Sequence, residues 1–507
     1  MRTLSTYSGR AHCCERTCAM SSIALSCWVL ACSPNDSSQG GDGSASSSQA
    51  PGASSGPGGA GGSTASSGSS QGSNGIGSTS GATMSGGSDG GSAGVADARS
   101  DATMGVDAGA DGASGDAKTE GESGDGAVSS VIAATPPLGW NSWNTFGCNI
   151  SESLIEATAD AMVSSGMQAA GFEYVNLDDC WMDGRDASGN LQWNASKFPS
   201  GIPALADYVH GKGLKLGIYE TPNTVTCVGL YGGISPSVAV GSLGHETEDA
   251  RTFASWGVDY LKYDLCQGQP SSFAVMRDAL RATGRPIVYS INPGNGSGCP
   301  PTGPTTSTCG LDLPSIANLW RIGFDINASW SSITGLIDQD APLAAYAGPG
   351  HWNDADMLEV GNASLTEDED KSHFSMWATL AAPLLAGNDL RSMSSAVQTV
   401  LTNTEVVAVD QDPLGHQGTL VATPESGLQV WSKTLSGSNT RAVALLNRNG
   451  GSASITVSFA QIGLSSGRAA VRDLWQHADL GTFNGSYTAT GVPSHGCSDA
   501  ANHAMTS

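Results

Sequence analysis

Carboxylates and amides follow most of the apolar runs in the later part of this 507-residue chain. The clearest case is Asp264, which ends an apolar run over 258–263 and lies two residues after Lys262. A single aspartate after a strand is often structural, because its side chain caps the next helix or begins a turn. Carboxylates or amides after most of the apolar runs are harder to explain by caps and turns alone. The pattern therefore indicates a catalytic or binding site, with Asp264 as a candidate nucleophile.

The apolar runs predict the elements that must position these residues. Eight strands are predicted, at 139–140, 174–177, 214–219, 258–263, 286–291, 319–323, 343–347 and 384–386. Helical patterns separate several of them, most clearly at 155–168 and 273–283. Strands and helices that alternate at roughly 30 to 45 residues favour a (β/α)8 TIM barrel over an open parallel sheet.

In such a barrel the carboxyl ends of all strands face one rim, where the active site lies. The polar residues at these ends are Asp178, Asp179, Tyr219, Glu220, Lys262, Asp264, Asn292, Arg321, Asp325, Asp354 and Asp356. We therefore expect them to converge on a single site.

The first 32 residues have the composition of a targeting segment. They combine three arginines with an apolar run that ends in Val29-Leu30-Ala31-Cys32. This pattern resembles a bacterial lipoprotein signal, cut before a cysteine that becomes lipidated, and an ordinary secretory signal is the alternative. Both predict an exported protein, extracellular or in the cell envelope, and the first predicts a membrane tether through lipidated Cys32. The run is too short to predict a membrane span.

Residues 33–130 consist almost entirely of Gly, Ser, Ala, Asp and Thr, without an aromatic residue. Such a segment cannot bury enough apolar surface to offset its ordering entropy, which predicts a disordered linker. Its eleven acidic residues face only Arg99 and Lys118, and they contribute to a net charge of -25. This acidic balance argues against a nucleic-acid partner.

The composition becomes globular at about residue 131. We predict a catalytic barrel over 131–411 and a C-terminal domain over 412–507, where short alternating segments indicate a small antiparallel β-sandwich. Residues 497–507 lack that alternation, which predicts a frayed tail with Cys497 unpaired.

Five motifs in the predicted barrel resemble those of glycoside hydrolase family 27, which includes α-galactosidases and α-N-acetylgalactosaminidases. In chain order they are GWNSW (139–143), GFEYVNLDDCW (171–181), GLKLGIY (213–219), LKYD (261–264) and GPGHWNDADML (348–358). The resemblance extends from about Pro136 to Gly418 and keeps the order of the motifs. It implies an exo-acting, retaining α-galactosidase that needs no cofactor and acts on a carbohydrate substrate.

The resemblance also implies roles for the residues at the rim. Asp264 matches the family's nucleophile and Asp325 its general acid/base, a pair that lies roughly 5 Å apart in a retaining site. Asp178 and Asp179 would bind the hydroxyls at positions 4 and 6 that mark galactose. The other implied substrate contacts are Trp143, Tyr219, Lys262, Asn292, Arg321, Asp356 and Met357. Lys262 and Arg321 would also keep nearby carboxylates ionised. The structural alternatives are a core position for Trp143 and turn or cap positions for Asp354 and Asp356.

Asn292 departs from the family's commonest pattern. Many animal and plant members carry Cys-Glu-Trp after the fifth strand, where the Glu contacts the sugar's 2-hydroxyl, and Asn292 takes the Glu position here. An amide side chain can also form a hydrogen bond with a hydroxyl. The specificity for the group at position 2 of the sugar therefore stays open. The family also contains β-L-arabinopyranosidases and isomalto-dextranases. A catalytically silent carbohydrate-binding relative is the rival from another class, but it would be free to lose Asp264 or Asp325.

Six cysteines lie in the predicted barrel, and an even number in an exported protein predicts disulfides. The resemblance implies the pairs Cys148–Cys180 and Cys227–Cys266 at the catalytic rim, which leaves Cys299 and Cys309 to close a short loop. A metal site is the competing interpretation, but no CxxC pair or histidine cluster supports one, so we expect no metal.

Overall fold

The structure is a computed structural model that describes residues 131–506, apart from 268–269, 295–300, 304–305, 308–309, 363 and 465–466. The predicted signal, the predicted linker and the possible Cys299–Cys309 pair lie outside the described residues. Within the described part, no helix has both the length and the apolar character needed to span a membrane.

Strands and helices alternate through the first section. Its elements are β1 (Leu138–Asn141), α1 (Trp143–Phe146), α2 (Glu152–Ser164), β2 (Tyr174–Asn176), β3 (Met182–Arg185), β4 (Leu191–Trp193), α3 (Ile202–Gly211), β5 (Lys215–Glu220), α4 (Cys227–Tyr231), α5 (Glu246–Ser255), β6 (Tyr260–Asp264), α6 (Ser272–Ala282), β7 (Val288–Asn292), β8 (Pro301–Gly303), β9 (Thr306–Ser307), α7 (Leu313–Ile316), β10 (Leu319–Arg321), α8 (Trp330–Asp340), a 3₁₀ turn (Ala341–Leu343), β11 (Trp352–Asp354), α9 (Glu367–Leu380), β12 (Leu384–Ala386), a second 3₁₀ turn (Leu390–Ser392), α10 (Ser395–Leu401) and α11 (Thr404–Asp410).

Eight of these strands form one parallel sheet in the order β11-β10-β7-β6-β5-β2-β1-β12. The seam between β11 and β12 is closed by a parallel bridge between Leu358 and Ala386. There the Leu358 N–H donates to the Leu385 carbonyl at 2.7 Å, and the Gly387 N–H donates to the Leu358 carbonyl at 2.9 Å. The predicted (β/α)8 barrel is confirmed.

The barrel strands are buried on both faces, which explains why they read as continuous apolar runs rather than alternating ones. Val175, Leu216, Leu261 and Ile291 are fully buried in four neighbouring strands. The surrounding helices begin at polar caps, such as Ser151, whose hydroxyl accepts a hydrogen bond from the Leu154 N–H at 3.2 Å before α2. Such caps fix where each helix begins, and hence how long the loops at the rim can be.

The prediction of a strand at 343–347 is wrong. Residues 341–343 form a 3₁₀ turn, and the barrel strand is β11, at Trp352–Asp354. The predicted run is rich in alanine and follows Pro342, whose fixed φ suits the first turn of a helix. The true strand has one apolar residue followed by buried Asn353 and Asp354, so it carries no apolar signal.

Eight strands follow in the C-terminal section. They are β13 (Thr419–Glu425), β14 (Leu428–Thr434), β15 (Thr440–Asn447), β16 (Ala453–Ser458), β17 (Arg468–Asp473), β18 (Ala478–Asn484), β19 (Ser486–Val492) and β20 (Cys497–Thr506). Six of them form an antiparallel sheet in the order β13-β14-β15-β20-β17-β18, and β16 pairs with β19 in a second, two-stranded sheet that packs against β14 and β15. This arrangement is the predicted β-sandwich.

The prediction of a frayed tail is wrong. Strand β20 lies between β15 and β17, and Val443 and Asp473 both pair with His503 across it. Neighbours on both sides supply partners for the backbone groups, so the pairing does not depend on an apolar alternation. Cys497 is buried and unpaired, as predicted.

Helix α9 packs against the barrel strand β12 and against β14, β15 and β20 of the sandwich. It begins at a capping box between Thr366 and Glu369, and residues 372–380 are buried. The Trp377 indole N–H donates to the Asp356 carbonyl at 2.8 Å. The helix between the two domains therefore also supports the rim of the barrel.

Candidate active site

A cavity of about 700 Å³ opens at the carboxyl ends of the barrel strands. Ten of the eleven residues predicted for catalysis or substrate binding line it, namely Trp143, Asp178, Asp179, Tyr219, Lys262, Asp264, Arg321, Asp325, Asp356 and Met357. The structure thus brings the predicted set together in one place, with Asn292 as the exception.

Strand register explains this convergence. Tyr219 in β5 pairs with Lys262 in β6, and Arg321 in β10 pairs with Asp354 in β11. Neighbouring parallel strands in register carry their last side chains to the same level of the barrel. Residues that are distant in sequence therefore face one opening.

Asp264 is partly exposed at the end of β6. Its carboxylate Oδ2 accepts a hydrogen bond from the Tyr219 hydroxyl at 3.2 Å. Burial raises the pKa of Asp264 to about 6, while the Lys262 cation opposes the shift and the Asp178 charge adds to it. Asp264 is therefore mostly ionised at neutral pH. Burial favours its protonated form, and the Lys262 cation favours the carboxylate.

Lys262 and Asp178, which both line the cavity, form an ion pair of 2.7 Å, and the Asp178 side chain is only 2% exposed. The Asn141 amide donates to the same Asp178 oxygen at 2.8 Å. Burial disfavours the Lys262 cation, but the charges of Asp178 and Asp264 raise its pKa above the usual value. Lys262 is therefore charged at neutral pH.

Asp179 ties the end of β2 to the start of α4. Its Oδ1 accepts hydrogen bonds from the Cys180 N–H at 2.7 Å and the Thr226 hydroxyl at 3.0 Å. Its Oδ2 accepts one from the Val228 N–H at 3.0 Å. Burial raises the pKa of Asp179 to about 6. A carboxylate offers about four acceptor positions, so these three bonds leave room for one from a ligand.

Arg321 lies between two carboxylates. Its Nη2 is 2.8 Å from Asp356 Oδ2 and 3.2 Å from Asp325 Oδ1. The Asp325 side chain is 65% exposed at the mouth of the cavity, whereas Arg321 is buried. The cation thus fixes the position of an exposed carboxylate that could exchange protons with a ligand.

The loop after β11 has a strained backbone. Asp356 has a positive φ of 76°, which aspartate tolerates better than most residues. Its Oδ2 also accepts a hydrogen bond from the Ile326 N–H at 2.8 Å. Asp354 accepts one from the Asp356 N–H at 2.8 Å, which is the Asx turn considered as its structural alternative.

Trp143 is 39% exposed, so the core alternative for this residue does not hold.

Asn292 is buried beside the main cavity. It lines a separate space of about 20 Å³, together with Lys262 and Arg321. Its Oδ1 accepts a hydrogen bond from the Gly294 N–H at 3.2 Å. Pro293 and Gly294, rather than Asn292, line the main cavity at this point. The contact of Asn292 with a sugar stays a prediction.

Two disulfides brace the rim, Cys148–Cys180 and Cys227–Cys266, and both are the predicted pairs. The second fastens α4 to the residues after β6, and Cys227 Sγ lies 3.5 Å from Asp264 Oδ2. These two sulfurs and Asp264 form the one close group of possible metal ligands within the described residues. Because the sulfurs are bonded to each other, they offer no thiolate to a metal.

Tyr231 also lines the cavity, and the sequence analysis missed it. No helix was predicted over 227–231, and it is this helix, α4, that places Tyr231 on the same face as Cys227 and therefore at the rim.

The family comparisons agree with this geometry. Residues 135–412 match the family model described as Alpha galactosidase A, and residues 425–498 match the Alpha galactosidase C-terminal beta sandwich domain. The chain belongs to the α-galactosidase family, glycoside hydrolase family 27. An α-galactosidase from Cyamopsis tetragonoloba is 46% identical and aligns over 72% of this chain and 85% of its own length. Alpha-galactosidase A from Cellvibrio japonicus is 48% identical over 62% of this chain and 77% of its own.

Solved structures agree as well. The crystal structure of α-galactosidase I from Mortierella vinacea superposes with a TM-score of 0.65 at 34% identity, covering 74% of this chain and 97% of the other. An α-galactosidase from Saccharomyces cerevisiae with raffinose gives a TM-score of 0.65 at 29% identity, covering 75% of this chain and all of the other. This chain is thus a glycoside hydrolase of family 27 with both of the family's domains.

Proposed function

We propose that this protein is an exo-acting α-galactosidase that removes terminal α-D-galactosyl residues from oligosaccharides or glycans with retention of configuration. The observation that carries the proposal is that Asp264 and Asp325 line one cavity together with the almost fully buried Asp178 and Asp179. Buried carboxylates in this cavity suit the hydroxyls that distinguish galactose.

In the first step, the ionised Asp264 attacks the anomeric carbon while Asp325 donates a proton to the leaving oxygen. The new bond joins Asp264 to the sugar, and the glycosidic bond breaks as the protonated leaving group departs. Asp325 is suited to the acid role because it is exposed at the mouth, through which the leaving group must pass.

In the second step, Asp325 takes a proton from water, which attacks the anomeric carbon and releases Asp264. Two displacements at one carbon restore the original configuration. The Tyr219 hydroxyl donates a hydrogen bond to Asp264 in the free enzyme, and this bond would orient the Asp264 carboxylate for both steps.

The substrate assignment predicts a clear order of activity. Purified protein should hydrolyse p-nitrophenyl α-D-galactopyranoside faster than the corresponding β-L-arabinopyranoside or α-N-acetylgalactosaminide. The Asp264→Ala variant, purified in the same way, controls for contaminating glycosidases. Turnover of either alternative substrate without turnover of the galactoside would contradict the assignment.

We further propose that the protein is exported and anchored through a lipid on Cys32, as the sequence VLAC at residues 29–32 suggests. Expressed in a bacterial host, the full chain should enter the detergent phase in a phase-partition assay, and the Cys32→Ser variant should not. Cys27→Ser, a change in the same apolar run, should behave as the wild type. Equal partition of all three proteins would exclude the anchor.

A further inference from the structure

One aromatic side chain at the mouth of the cavity has no part in the mechanism above. Tyr231 is 67% exposed and lines the same cavity as Asp264 and Asp325. An exposed large aromatic side chain in a ligand cavity offers a flat apolar face, and such faces are common where ligands pack.

The position of this ring is fixed at two points. Its hydroxyl donates to the Cys266 carbonyl at 2.8 Å, two residues after Asp264. Tyr231 is also the last residue of α4, whose first residue, Cys227, is bonded to Cys266. The ring is therefore held close to the candidate nucleophile before any ligand binds, which lowers the entropy lost when a ligand packs on it.

The cavity has a buried end and an exposed end. Asp178 and Asp179 are almost fully buried, whereas Tyr231 and Asp325 are exposed. If the terminal galactose occupies the buried end, the bond to be cleaved lies at Asp325 and the rest of the substrate lies toward Tyr231. The apolar face of a leaving-group sugar can then pack against the aromatic ring.

We propose that Tyr231 is the binding platform for the leaving-group sugar and that it favours substrates in which galactose is linked to another sugar. This inference rests on the proposed α-galactosidase function and extends it to the other side of the cleaved bond. Because the contact persists in the transition state, it contributes to kcat/KM.

Two substrates that differ only in their leaving group test the proposal. Melibiose leaves glucose, whereas α-D-galactopyranosyl fluoride leaves a single atom that cannot reach Tyr231. The measured quantity is the ratio of kcat/KM for melibiose to kcat/KM for the fluoride. We expect Tyr231→Ala to lower this ratio about 5- to 30-fold, the effect of losing one apolar contact of this size.

Two further variants separate binding from a general disturbance. Tyr231→Phe keeps the ring and should keep the ratio within about twofold of the wild type, since the ring makes the contact. Tyr208→Ala removes a tyrosine of α3 outside the cavity and should leave the ratio unchanged. An unchanged ratio in Tyr231→Ala, whether both kcat/KM values are retained or both fall equally, would overturn the proposal. It would leave the α-galactosidase function intact. Wild-type protein inactive on both substrates would overturn the function itself and this inference with it.

Discussion

Replacing Asp264 with alanine should lower kcat/KM for α-galactosides by at least about 10⁴-fold, in line with the loss of other catalytic nucleophiles. Without this carboxylate no glycosyl-enzyme can form, and the remaining groups can only bind and polarise the substrate. Added azide should fit the space left by the side chain and attack from the same side. Because this is a single displacement, the product should be β-galactosyl azide.

The ionisation of Asp264 gives the same assignment a second readout. The attacking form is the carboxylate, and burial raises the pKa of this group to about 6. As the pH falls through that value, Asp264 takes up a proton, and wild-type kcat/KM should fall with it. A profile that stays flat down to pH values near 4 would contradict the raised pKa of Asp264, whereas an Asp264→Ala variant with substantial activity would remove Asp264 from the nucleophile role.

Replacing Asp325 with alanine should have an effect that depends on the leaving group. For melibiose, whose sugar leaving group needs a proton, we expect kcat/KM to fall about 10²- to 10⁴-fold, the usual contribution of a general acid. For 2,4-dinitrophenyl α-galactoside, whose leaving group is already a stable anion, kcat/KM should fall far less. Steady-state kinetics on the two substrates measures the difference.

Asp278→Ala is a matched control for this change, because Asp278 is an exposed aspartate that also pairs with an arginine. It should leave both substrates unaffected. Azide should rescue Asp325→Ala as well, but by intercepting the galactosyl-enzyme, so the product should be α-galactosyl azide. Opposite anomers from the two active-site variants would separate the nucleophile from the acid/base. Equal losses on both substrates in Asp325→Ala would exclude the acid role.

Most of the fold was predictable because the barrel strands are buried on both faces. The apolar residues of a strand such as β6 predict its place in the barrel, and the polar residues towards its end, Lys262 and Asp264, mark the rim. β11 escaped this logic because Asn353 and Asp354, which point to opposite faces of the strand, are both buried polar residues held by hydrogen bonds. Strand β20 escaped it because pairing with two neighbours stabilises its backbone without an apolar pattern.

The site was predictable to the level of which residues converge, but not of what each one touches. Spacing placed Asn292 at a strand end, yet it is buried beside the main cavity, because its Oδ1 bonds the backbone of its own loop. Asp179 was expected to bind a sugar, but two of its acceptor positions also hold the start of α4 and a third accepts the Cys180 N–H. Such details depend on loop conformation, which one-dimensional patterns do not specify.

The most direct test of the account is to identify the atom that attacks the sugar. Incubation with 5-fluoro-α-D-galactopyranosyl fluoride should accumulate the glycosyl-enzyme, because the ring fluorine slows both displacements whereas the good fluoride leaving group restores the rate of the first one only. Mass spectrometry of the digested protein should find one fluorogalactosyl group on the peptide that contains Asp264, and none in Asp264→Ala. A label on a different carboxylate, or inactivation-free turnover whose first-formed product has inverted configuration, would contradict a retaining mechanism through Asp264.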